Sequence, residues 1–223
     1  MSPSSQSQKL KAYKDKGKGV IIFDFDGVLA DSFDTFYKLI KDSMEIVGLS
    51  VSKDDYREMF RENVHKGFKR FIGSTKKYSI FQKFRKSNYD RYYKKYKPKL
   101  FRGTSRFLKQ LNKNYIITIA SSGKRTNIIG LLKKGGAHKY FDLILATEEY
   151  SKENMIKNIL EKHKTDPKKT VVITDTVGDI KIAKKLGLKT IAVDWGFHHK
   201  KILKESMPDH LVQTFEDIVK LLN

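Results

Sequence analysis

Residues 19–32 read Gly19-Val20-Ile21-Ile22-Phe23-Asp24-Phe25-Asp26-Gly27-Val28-Leu29-Ala30-Asp31-Ser32. The first five form a short apolar run rich in β-branched residues, with no polar residue alternating through it. Such a run reads as a strand buried on both faces, the hallmark of a parallel sheet. Two aspartates follow at once, and a glycine lets the chain bend sharply after them. In open α/β sheets, ligands bind outside the carboxyl ends of the strands. Asp24 and Asp26 therefore stand where a ligand is expected. Two carboxylates this close repel each other unless a cation or a proton joins them.

Four more runs of the same kind follow: Tyr115–Ala120, Leu143–Ala146, Val171–Thr174 and Thr190–Val193. Helical spacing separates them, in Phe107-Leu108-X-X-Leu111, Ile128-Ile129-X-Leu131-Leu132, Met155-Ile156-X-X-Ile159-Leu160 and Ile180-X-Ile182-Ala183-X-X-Leu186. Strand alternating with helix predicts an α/β fold with a doubly wound, Rossmann-like parallel sheet. The first and second strands lie about ninety residues apart, far more than one crossover helix needs. The stretch 33–102 carries helical patterns and is expected to be an inserted helical cap domain. The core is then 19–32 plus 103–223. Residues 1–18, polar and lysine-rich without the apolar stretch of a secretory signal, read as a disordered basic leader.

Bulk composition narrows the function classes. The 223 residues include no cysteine, which excludes disulfides, thiolate metal sites and cysteine nucleophiles. No apolar run approaches the ~18–20 residues of a membrane span. A cytoplasmic protein without membrane association is expected. The net charge is +21, which draws anions, including phosphates and nucleic acid. The ordinary reading of most of these lysines is a solvated face. Oligomeric state leaves no trace in the sequence.

Three further segments carry chemistry. Ser121-Ser122-Gly123-Lys124 closes the second strand with a hydroxyl and successive backbone N–H groups, which suits a phosphate. Its ordinary reading is a serine N-cap with a turn glycine. Lys152 stands at a helix start, where a cation opposes the helix dipole and a bound anion would explain it. Its ordinary reading is one exposed lysine among many. Asp175 and Asp179 lie four apart across a strand-to-helix turn, so both can face one ion. There the ordinary reading makes Asp179 a helix cap. Hard oxygen ligands beside phosphate chemistry favour magnesium. Candidate ligands are Asp24, Asp26, Asp175 and Asp179. All these segments fall at one edge of the sheet, which separate coincidences explain poorly.

The motifs Phe23-Asp24-Phe25-Asp26-Gly27-Val28-Leu29-Ala30-Asp31-Ser32 and Thr174-Asp175-Thr176-Val177-Gly178-Asp179, with the run on to Trp195-Gly196, resemble the haloacid dehalogenase-like hydrolase superfamily. Within it the chain is similar to the phosphoglycolate phosphatase and β-phosphoglucomutase-like branch, from about Val20 to the end. The ending 208–222 also looks like that family's closing strand and helix. The resemblance implies that Asp24 is the nucleophile, forming an aspartyl-phosphate, and that Asp26 is the general acid and base. It implies that Ser121, with Ser122 and Gly123, binds phosphate. Lys152 then balances the negative charge on nucleophile and phosphate. Magnesium is held by Asp24, the Asp26 backbone carbonyl and Asp175, with Asp179 supporting the site. An acid at position 26 implies phosphatase or phosphomutase, since dehalogenases lack one there and transport ATPases usually carry threonine. Thr174 departs from the family, where glycine or an acid is common.

The expected cap is strongly basic. Between Lys66 and Lys99 stand thirteen Lys or Arg and one acid, Asp90, with nine aromatics interleaved. Caps in this family choose the substrate, so a small phosphorylated metabolite with extra charge fits. Basic-aromatic interleaving also serves single-stranded nucleic acid. For the phenylalanines the favoured reading is the cap's own core. The tyrosines of 89–96 are too dense for one buried stripe, so some are expected exposed. The leading expectation is a magnesium-dependent phosphomonoester hydrolase. The alternatives are a phosphomutase, or, less favoured, a nucleic-acid binder or nucleotide phosphatase using the cationic cap.

Overall fold

In the computed structural model, strand β1 (Gly19–Phe23) divides its residues between two apolar layers. Ile21 and Phe23 face a layer with Phe107, Leu108, Leu111, Leu132 and Ile218, while Val20 and Ile22 face Met155, Ile156, Ile159 and Ala183. Burial on both faces is why the run carries no polar alternation. The structure describes residues 18–147 and 151–223, so the expected leader lies almost wholly outside it.

The sheet is completed by β4 (Tyr115–Ser121), β5 (Leu143–Ala146), β6 (Thr170–Thr174), β7 (Lys189–Val193) and β8 (His210–Val212). Its order is β5-β4-β1-β6-β7-β8, and every neighbouring pair is parallel. The order runs outward in both directions from the boundary between β1 and β6. That reversal opens a crevice at the carboxyl ends of those two strands. Helices α5 (Thr104–Leu111), α6 (Arg125–Lys134) and α10 (Phe215–Leu222) cover one face. Helices α7 (Lys152–His163) and α8 (Val177–Lys185) cover the other, and α9 (Lys200–Glu205) precedes β8.

The stretch 33–102 folds as α1 (Phe33–Glu45), α2 (Lys53–Glu58), α3 (Val64–Ile72) and α4 (Thr75–Tyr96). Its entry and exit pair with each other as the short antiparallel strands β2 (Ala30–Asp31) and β3 (Lys99–Leu100). A second apolar cluster, with Ile40, Met44, Tyr56, Met59, Phe68 and Phe81, holds the helices together. Phe197, from the loop after β7, inserts into that cluster. The unit sits directly on the sheet edge: a Cβ at Gly178, in the first turn of α8, would lie 2.6 Å from the Glu62 carbonyl oxygen. Only glycine allows that approach.

The interleaved aromatics divide. Phe68, Phe81 and Tyr92 are buried, while Phe71 and Tyr96 are exposed. Much of the basic-aromatic pattern is therefore the core of the helical unit, with lysines on its outer face. Among the described residues no helix is long and apolar enough to cross a membrane.

Candidate active site

The turn after β1 is tight. Gly27 N–H donates to the Ala30 carbonyl at 2.8 Å, and Leu29 N–H to the Phe25 carbonyl at 3.0 Å. Gly27 adopts φ +79°, the left-handed region. This turn holds Asp24 and Asp26 at the crevice. Asp24 Oδ1 accepts the Phe25 N–H at 2.7 Å and lies 2.7 Å from Lys152 Nζ. Asp26 Oδ1 accepts the Ser32 hydroxyl at 2.7 Å.

Lys152 is the first residue of α7, yet it is only 8 % exposed. The reading of it as one more surface lysine does not hold. Its ammonium sits between two carboxylates, Asp24 at 2.7 Å and Asp179 Oδ2 at 2.9 Å. Burial opposes its charge, but Asp179 and Asp24 overcome that and raise its pKa. It is an ammonium throughout the physiological range.

Asp179 lies within the first turn of α8, whose N-cap is Thr176, so it is not the helix cap. Its Oδ2 also accepts the Thr174 hydroxyl at 3.1 Å. Thr174, the departure from the family pattern, thus steadies the acid that steadies the lysine. Asp179 Oδ2 is committed to these two partners.

Asp175 is fully buried. Its Oδ2 accepts the Phe197 N–H at 2.6 Å, while Oδ1 has no hydrogen-bond partner within the protein. A Cβ at Gly27 would lie 2.0 Å from Asp175 Oδ2, and one at Gly196 would lie 2.3 Å from it. Two glycines thus wall this carboxylate in. Register brings Asp24 and Asp175 together, because Phe23 pairs with Ile173 across β1 and β6.

Ser121, Ser122 and Gly123 line the same cavity as Asp24, Asp26, Lys152 and Asp179. Ser121 Oγ accepts the Gly123 N–H at 3.0 Å, which fixes the loop. A Cβ at Gly123 would stand 3.0 Å from Asp26 Oδ2.

Burial pushes the Asp24 carboxyl up to about 7 against the pull of Lys152, and the Asp26 carboxyl up to about 6 against the Ser32 hydroxyl. Burial, then the neighbouring Asp24, raises Asp175 as well. Three desolvated acids that raise one another call for a cation beyond Lys152. Among the described residues, no three acid or histidine side chains gather tightly enough to hold an ion by themselves. The oxygens that fit are the orphaned Asp175 Oδ1, the Asp24 carboxylate and backbone carbonyl. They are hard donors, which magnesium accepts alongside water and phosphate oxygens.

Sequence reasoning missed several residues of this region. His198 is fully buried, with Nδ1 accepting the Val177 N–H at 3.0 Å and Nε2 2.8 Å from the Arg57 carbonyl. Those partners make it a neutral imidazole with its proton on Nε2, and burial lowers its pKa. Arg57 Nε donates to the Phe197 carbonyl at 2.9 Å, and its guanidinium lies over the Phe33 ring. Across the crevice, Asp90 pairs with Lys124 at 2.5 Å. Asp90 is the one acid of the basic stretch, which was the available signal. Trp195 packs as expected, with its Nε1–H donating to the Val28 carbonyl at 3.2 Å.

A family model described as haloacid dehalogenase-like hydrolase matches residues 21–193. The chain belongs to the haloacid dehalogenase-like hydrolases. As a member of that family, it is 26% identical over 206 residues to a phosphoglycolate phosphatase of Synechococcus elongatus, covering 90% of this chain and 95% of that one. It is 25% identical over 220 residues to a phosphoglycolate phosphatase of Aquifex aeolicus, covering 92% and 96%. Relatives named as phosphatases match this hydrolase end to end, and its enzyme class is phosphatase. Among solved structures, a haloacid dehalogenase-like family protein from Streptococcus pneumoniae superposes with a TM-score of 0.78 at 22% identity, over 93% of this chain and 100% of that one. That likeness establishes the fold.

Proposed function

We propose that the protein is a magnesium-dependent hydrolase of small phosphate monoesters that works through an aspartyl-phosphate at Asp24. The observation that carries this reading is the Lys152 ammonium held between the Asp24 and Asp179 carboxylates, in one cavity with Asp26 and Ser121. A carboxylate attacking a phosphate dianion must overcome like charge, and fixed cations at the point of attack are what lower that barrier. Lys152 leaves Asp24 Oδ2 as the oxygen outside the ion pair, so that oxygen attacks phosphorus.

The P–O bond to the alcohol then breaks, and Asp26, protonated because burial keeps its pKa near 6, gives its proton to the leaving oxygen. Asp26, now ionised, takes a proton from water. The water oxygen attacks phosphorus, and the bond to Asp24 breaks. Ser121 and the N–H groups of its loop hold the phosphoryl oxygens. Magnesium fits against the carboxylates of Asp24 and Asp175 and the Asp26 main-chain carbonyl. When bound it supplies positive charge that offsets phosphate and carboxylate repulsion. Asp179 keeps Lys152 in place.

The test is turnover of p-nitrophenyl phosphate with magnesium, combined with trapping. Borohydride reduction of the working enzyme is expected to convert Asp24 to homoserine. Asp24→Asn is expected to fold and to show neither turnover nor trapping. Full activity in that variant, or homoserine at another position, would remove the mechanism.

A further inference from the structure

The outer surface of the helical cap is a field of lysines. Of the thirteen Lys and Arg between Lys66 and Lys99, twelve are exposed and Arg85 alone is buried. Solvation explains the twelve. It does not explain Arg85, because burying a cation costs several kcal/mol unless its surroundings hold it.

Arg85 points inward from α4 and lines the cavity that contains Asp24, Asp26, Ser121 and Lys152. Its orientation is fixed by a chain of side chains. Nε donates to Gln82 Oε1 at 2.9 Å. Gln82 Nε2 donates to the Tyr78 hydroxyl at 2.6 Å and lies 3.3 Å from His65 Nδ1. A guanidinium has only donors, so the Gln82 amide can take just one orientation, oxygen toward Arg85. His65 lines the cavity as well. A planar, pre-oriented guanidinium in a water-poor cavity is a strong receptor for carboxylate or phosphate. The floor of the cavity holds Lys152 against Asp24, Asp26 and Asp179, so its cationic character comes from the cap side.

We propose that Arg85, positioned by Gln82 and flanked by His65, is the specificity-determining residue of the cap. It receives a second anionic group on the substrate, a carboxylate or a further phosphate, remote from the reacting phosphorus. The substrates are then small esters or anhydrides of phosphate with at least two anionic groups. This inference rests on the phosphohydrolase reading above.

The experiment compares kcat/KM of the full chain, with magnesium, for phosphoglycolate, pyrophosphate, glycerol phosphate and p-nitrophenyl phosphate. The first two carry a second anion of either kind, and the last two carry none. The wild type is expected to favour one or both of the first pair. Arg85→Met is expected to lower that preference about ten- to a hundredfold, mainly through KM, since a charge-assisted hydrogen bond is worth that much. Gln82→Leu keeps the charge but frees its orientation, and is expected to lower the preference in the same direction by less. Circular dichroism confirms that both variants fold. A fall of equal size for all four compounds would overturn the assignment, as would an unchanged preference. A wild type that hydrolyses none of the four would overturn the phosphohydrolase reading itself, a result separate from lost preference.

Discussion

Removing the nucleophile is expected to stabilise the metal-free protein at alkaline pH. Asp24 is desolvated, and burial raises its pKa from 3.8 to about 7. Between those values the folded protein holds a proton that the unfolded chain has released. Stability is therefore highest at low pH and falls as pH rises through the window, levelling off above it. Integrated from pH 5 to pH 8, the loss assigned to Asp24 is about 2–3 kcal/mol. Other groups titrate too. His198 acts in the opposite sense, because its lowered pKa makes the unfolded chain the better proton acceptor as pH falls. A comparison with Asp24→Asn cancels them, since the neutral amide stands in for the protonated acid. In EDTA the melting temperature of the variant relative to wild type is expected to rise by about 5–10 °C between pH 5 and pH 8, as 1 kcal/mol is worth about 2–4 °C at this chain length. Magnesium at pH 8 is expected to raise the wild type and leave the variant nearly unmoved, because only the ionised carboxylate binds it. Parallel melting of the two proteins across that range in EDTA would refute the argument, for Asp24 would then not be desolvated.

Three other perturbations separate the parts of the site. Lys152→Met removes the cation from beside Asp24, and p-nitrophenyl phosphate turnover is expected to fall at least about a hundredfold with the chain still folded by circular dichroism. Gly27→Ala forces a side chain into a left-handed turn and against Asp175 Oδ2, so a loss of about 3 kcal/mol in urea unfolding is expected, with weaker stabilisation by magnesium. His198→Ala leaves the Val177 N–H and the Arg57 carbonyl unpaired, and about 2–4 kcal/mol is expected to disappear in the same assay. His198→Asn, which retains an acceptor for Val177, is expected to recover part of it.

The five central strands were legible because each is buried on both faces and written as an unbroken apolar run. Observed bounds differ from the expected ones by a residue at most. Strand β8 is only three residues long and edge-placed, with one fully buried residue, so it was visible through family likeness rather than through its own pattern. The paired linkers β2 and β3 are two residues each and carry no periodicity at all. Site acids could be read because each follows a strand directly. Arg85 could not, because a buried arginine and a solvated one look alike in a lysine-rich helix. His198 escaped for a related reason: its two partners are backbone groups, which any sequence supplies.

The contacts that seat the cap are uneven, and this bears on how the site is assembled. On one rim, Asp90 and Lys124 pair in the open, each about half exposed, and such pairs contribute about 0–1 kcal/mol. On the other rim the contacts are buried and shared with the reacting groups. Phe197 puts its ring into the cap's apolar cluster, offers its carbonyl to Arg57, and gives its N–H to Asp175. His198 joins Arg57 to the start of α8, the helix that carries Asp179. The peptide that orients the buried acid is thus the same one that docks the cap. Separating the cap at the Asp90 rim disturbs little of the chemistry, whereas separating it at the Phe197 rim releases Asp175. The arrangement favours opening at the exposed rim, beside the Ser122-Gly123 loop, with Asp175 and Asp179 kept in register throughout.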